Sequence, residues 1–85
     1  MISTLREEIT ALDRRLVETI NARIEIVARL RAYKAQNDIP FVDPDRERAL
    51  LDELKSANHG PLSDEGLHEL VTFVLALVKK ELAHE

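Results

Sequence analysis

The sequence predicts an all-α fold: three helices per chain (long, short and medium) in an intertwined homodimeric helical bundle. Three observations lead there. From Thr4 to about Asn37 there is neither Pro nor Gly, and Leu5, Ile9, Leu12, Leu16, Ile20, Val27 and Leu30 share one helix face. Two further helix starts are written at Asp43-Pro44 and at Ser63-Asp64-Glu65. The first helix is also too long for a single small core.

That first element justifies the dimer. Thr4 is the expected N-cap, with Glu7 three residues on completing a capping box. A helix running to Asn37 measures roughly 50 Å at about 1.5 Å per residue. A compact domain of this size has a radius of gyration of about 12 Å. The helix therefore overhangs any monomeric core. A second copy related by two-fold symmetry is the simplest cover for its apolar stripe.

Asp38-Ile39-Pro40-Phe41-Val42 breaks the first helix. Asp43 then caps a second, with Pro44 at its first position, Leu50, Leu51 and Leu54 on its apolar side and an end near Asn58. Asn58-His59-Gly60-Pro61 reads as a turn. Ser63 caps the third helix, Asp64 and Glu65 favour its positive end, and Leu67, Leu70, Val71, Val74, Leu77 and Val78 make its apolar face.

Composition bounds the function. Eighty-five residues make one domain, 1–85. A net charge of −4 argues against nucleic-acid binding. It leaves room for a small anion held by a local cluster of cations. The absence of cysteine removes disulfides, thiolate nucleophiles and cysteine-ligated metals. No secretory pattern and no membrane-length apolar run occur, so the expected location is the cytoplasm, with no membrane partner.

The informative residues are charges on apolar faces. Arg23 continues the stripe through Val27 and Leu30 to Lys34 in steps of four, three and four. Glu47 aligns with Leu50, Leu51 and Leu54. Buried charges need partners, so Arg23, Lys34 and Glu47 either form interhelical ion pairs or meet a ligand. Taken alone, Arg6 and Arg46 suit solvated helix faces, and Asp43 suits a cap. His59, His68 and His84 lack a metal-ligand spacing, and no metal is expected. Ser63 is a cap rather than a nucleophile. Gly60 and Gly66 belong to no phosphate-binding loop. Tyr33, Phe41 and Phe73 are too sparse for a base-stacking platform.

Leu5-Arg6-Glu7-Glu8-Ile9, Leu12-Asp13, Asn21-Ala22-Arg23, Tyr33-Lys34 and Ile39-Pro40-Phe41-Val42-Asp43-Pro44-Asp45-Arg46-Glu47-Arg48 together resemble the all-helical, type II chorismate mutase family. Their order and spacing carry the resemblance over about the first two-thirds of the chain. It implies rearrangement of chorismate, a small dianion, to prephenate in aromatic amino acid biosynthesis. No cofactor is implied. Arg6 would bind a substrate carboxylate across the dimer, and Arg23 a carboxylate within its own subunit. Lys34 would contact a carboxylate and the ether oxygen. Asp43, mostly through its backbone, and Glu47 would bind the ring hydroxyl, and Arg46 would hold the second carboxylate side. Of these, Lys34, Arg23 and Glu47 are the catalytic candidates.

The last helix departs from the family pattern of a short polar residue followed four positions later by Gln or Glu. Alignment from Gly60-Pro61 places Val78 and Leu82 there as the substrate-facing residues. A shift of two places Lys80 and His84 instead, with poorer apolar phase. The departure opens three alternatives: a weak mutase activated by a partner enzyme of the pathway, a 4-amino-4-deoxychorismate mutase, or an isochorismate–pyruvate lyase. A further alternative is a non-catalytic dimerisation or regulatory domain of a shikimate-pathway enzyme. A pure dimerisation helix favours Leu or Ile at positions 23 and 34, where this chain has Arg and Lys.

Overall fold

The computed structural model describes residues 1–83 and consists of three helices: α1 (Ile2–Gln36), α2 (Pro44–Ala57) and α3 (Asp64–Leu82). His84, which the shifted alignment of the last helix invoked, lies outside the described residues.

α1 begins two residues before the expected cap. Met1 supplies the first carbonyl, accepting from the Leu5 N–H at 3.0 Å, and no side chain caps this end. Thr4 therefore lies inside the first turn and the anticipated capping box does not form; Ile2 and Ser3 offer the backbone no reason to leave the helix. At the other end Asp38 takes a left-handed φ of 54°, and the Ile39 N–H reaches back to the Lys34 carbonyl at 2.8 Å. This is the six-to-one closure of a Schellman ending, with aspartate where glycine is commoner.

The other caps follow the sequence. The Asp43 carboxylate accepts from the Arg46 N–H at 3.1 Å, and Pro44 stands at the first helical position. The Ser63 hydroxyl accepts from the Gly66 N–H at 3.0 Å. Between them the Asn58 side chain closes the turn, donating to the Leu62 carbonyl and accepting from the Gly60 N–H. Gly60 has φ 80°, which an L side chain rarely adopts.

α3 is the element against which both others pack. The buried side chains of the described residues, Leu67, Val71, Val78 and Leu82, all belong to it. Leu70, expected on the same face, is exposed in the protomer. α3 is 19 residues long and α1 is 35, so α3 covers only part of α1. The half-buried residues of α1 begin at Ile20. Before it, Leu5, Ile9, Leu12 and Leu16 are 49–60 % exposed. The protomer is accordingly elongated, 55 × 28 × 16 Å, with a radius of gyration of 15.8 Å. That exceeds the roughly 12 Å of a compact chain of this length. No helix among the described residues is long and apolar enough to cross a membrane.

Candidate active site

α1 and α2 do not pack directly against each other; both lean on α3. The space left between them is a cleft of about 280 Å³. Ile26, Val27, Leu30, Leu50 and Leu75 supply apolar wall. Six residues singled out in the sequence meet there: Arg23, Lys34, Asp43, Arg46, Glu47 and Val78. Lys79 joins them. The charged lining is thus four cations (Arg23, Lys34, Arg46, Lys79) and two carboxylates (Asp43, Glu47), a local excess of two positive charges in a chain of net −4. Such a concave, largely apolar site with a cation excess suits a small anion.

Each charge is held differently. Arg23 is half-buried on α1, and its Nε is buried with no hydrogen-bond partner among the described residues. A buried guanidinium N–H without an acceptor is a rare state in a folded protein. It fits a donor kept for a ligand. Lys34 Nζ donates to the Phe41 carbonyl at 3.2 Å, drawing the 37–43 connection over the end of α1. An ammonium has three donors, so this bond fixes Lys34 and leaves others to face the cleft. Arg31 stands over the Phe41 ring, 5.8 Å from its centroid, and donates through Nη1 to the Leu82 carbonyl at 2.9 Å. The same connection is thereby tied to α3.

The Asp43 carboxylate is engaged as a cap, leaving Glu47 as the carboxylate that points across the site. Glu47 Oε1 accepts from Lys79 Nζ at 2.7 Å, joining α2 to α3. Arg46 is exposed at the mouth. Val78, only 3 % exposed, serves as core and apolar floor together.

Two candidates lie elsewhere in the protomer. Leu82 is buried beside Ala28, Arg31, Ala32 and Ala35, in a separate hollow beyond the cleft. Arg6 lines a shallow depression with Glu7, Thr10 and Arg14. Arg23 lies seventeen positions beyond Arg6 on one continuous helix, about 25 Å at the standard rise. Arg6 therefore cannot enter its own cleft.

Lys79 is the residue that sequence reasoning missed. It continues the row Val71, Leu75, Lys79 in steps of four, and it is half-buried. The rule that singled out Arg23 and Lys34, a charge on an apolar row, applies to it equally. No group of three or more histidine and carboxylate side chains suited to a metal ion occurs among the described residues.

Comparison with known proteins adds to this geometry. Residues 5–81 match the family model described as chorismate mutase type II. A 4-amino-4-deoxychorismate mutase from Streptomyces venezuelae is 33 % identical over 61 residues, a match covering 69 % of this chain and 59 % of that protein. The T-protein of Haemophilus influenzae is 38 % identical over 50 residues, covering 59 % of this chain and 13 % of that protein. The chain therefore spans less than two-thirds of the length of either relative. No solved structure gives a significant match.

Proposed function

The chain belongs to the chorismate mutase type II family, and we propose that its cleft rearranges chorismate to prephenate in an intertwined homodimer. The supporting observation is the unpartnered Arg23 Nε inside a cleft whose cations outnumber its carboxylates. Two carboxylates on the substrate meet that demand, and a planar guanidinium receives one of them with two parallel hydrogen bonds.

The reaction is a concerted shift: the C–O bond to the enolpyruvyl arm breaks while a C–C bond to the ring forms. Neither a nucleophile nor a proton transfer is required. The protein's work is to hold the folded conformer and to stabilise negative charge growing on the ether oxygen. Arg23 and Arg46 clamp carboxylates. Lys34, held in place by the Phe41 carbonyl, directs its remaining donors at the ether oxygen. Glu47 accepts the ring hydroxyl. Arg6 completes the site from the other subunit, a role favoured by its separation of about 25 Å along α1 from Arg23 and by the uncovered apolar stripe around it.

A second reading, rearrangement of 4-amino-4-deoxychorismate, is favoured by the name of the Streptomyces relative. Both substrates need the same cations and differ at the group beside Glu47. The test is ultraviolet absorbance of each substrate with purified protein and identification of the product. Prephenate from chorismate supports the mutase. Pyruvate release from isochorismate, or no turnover of any substrate, overturns it. Lys34→Ala should slow turnover by about two to three powers of ten in a folded protein, the size of one missing donor to a developing oxyanion.

A further inference from the structure

Resting on the reading that this cleft rearranges a chorismate-like dianion, we infer that Lys79 sets its substrate preference: by pairing with Glu47 it makes the ring-substituent pocket electrically neutral, so the pocket selects a hydroxyl over an ammonium.

The argument begins with the carboxylates. Substrate carboxylates go to cations, so the donor on the substrate ring needs an acceptor. The cleft offers two side-chain carboxylates, Asp43 and Glu47. The Asp43 carboxylate already accepts from the Arg46 N–H as a helix cap. Glu47 is the carboxylate that is not tied to its own helix end and reaches across to α3. It carries Lys79 Nζ on Oε1 at 2.7 Å, and both side chains remain partly exposed, 40 % for Lys79 and 34 % for Glu47. The pair is formed in the protein alone and stands in the cleft wall.

Its charges decide what fits. A hydroxyl is neutral and needs only one acceptor oxygen, which Oε2 of Glu47 supplies while Oε1 stays with Lys79. An aliphatic amine is mostly an ammonium at neutral pH. Placed against Glu47 it meets the Lys79 ammonium at close range. It must displace Lys79 from the carboxylate or bear the repulsion. Without Lys79, Glu47 is an unshared anion that serves an ammonium well.

The experiment is kcat/KM for chorismate and for 4-amino-4-deoxychorismate with the wild-type protein, Lys79→Met, Lys79→Gln and Lys79→Arg. The ratio of the two constants is read within each protein, so a lower folded fraction cancels. The wild type should favour chorismate. Lys79→Met and Lys79→Gln should move the ratio about tenfold or more towards the amino substrate, the scale of one like-charge contact at a half-exposed site. Lys79→Arg, which keeps the charge, should keep the preference. A wild type that prefers the amino substrate overturns the inference. So does an equal loss on both substrates in Lys79→Met, which makes Lys79 a structural tie while the mutase reading stands. If the wild type turns over neither substrate, the mutase reading fails and this inference fails with it.

Discussion

The two halves of α1 carry the same apolar periodicity and meet different surroundings. In the first half, Leu5, Ile9, Leu12 and Leu16 form an unbroken stripe whose members are 49–60 % exposed in the protomer. In the second half the stripe runs through Arg23, Val27, Leu30 and Lys34, packs towards α3 and is half-buried in part. A purely apolar face with nothing over it asks for another protein surface. An apolar face interrupted by cations, one of them with a buried donor that has no partner among the described residues, asks for an anion. One helix thus divides into a segment suited to assembly and a segment suited to chemistry. Arg6, at the far end of the assembly segment, is the residue through which the two would meet.

The largest effect should come from breaking the first half. Leu12→Glu places a charge in the middle of the uncovered stripe. The protein should pass from dimer to monomer by analytical ultracentrifugation, and turnover should fall about a hundredfold or more as Arg6 leaves the neighbouring site. A dimer that persists would place the subunit contact elsewhere. A smaller effect on stability, with a large one on activity, distinguishes the second half. Arg23→Leu restores the apolar pattern of the first half and removes an unsatisfied buried donor. Its thermal unfolding should show equal or greater stability, by about 1 kcal/mol, while turnover falls at least a hundredfold. A strongly destabilised Arg23→Leu would mean that the guanidinium is a packing element. The smallest effect is expected where the second half ends. Asp38 is held at φ 54°, so Asp38→Gly should change stability by only a few tenths of a kcal/mol, in the stabilising direction, by chemical denaturation.

Much of this division was legible in the sequence. The 3.6-residue period and the absence of Pro and Gly gave α1, and the Asp43-Pro44 and Ser63 caps gave the starts of α2 and α3. The charges on apolar faces gave Arg23, Lys34 and Glu47, which the fold brings to one cleft. Less legible was whatever depends on how helices face each other. Thr4 has the residue type of a cap, yet helix formation continues to Ile2 because no competing local bond stops it. Leu82 fits the spacing of the family's polar pair, but the rotation of α3 turns it to the hollow beside Arg31. The role of Lys79 is of the same kind: its partner Glu47 lies 32 positions earlier, so their pairing is a tertiary fact.

The central claim is that each site is shared: Lys34 from one chain, Arg6 from the other. Mixing two inactive variants tests it. Arg6→Ala and Lys34→Ala proteins should each show little turnover alone. After joint denaturation and refolding, random pairing makes about half the dimers mixed, and each mixed dimer has one site with both residues intact and one with neither. Recovery of up to about a quarter of wild-type turnover is the predicted result. Turnover no greater than the sum of the separate variants, with mixed dimers shown to form, would contradict the account.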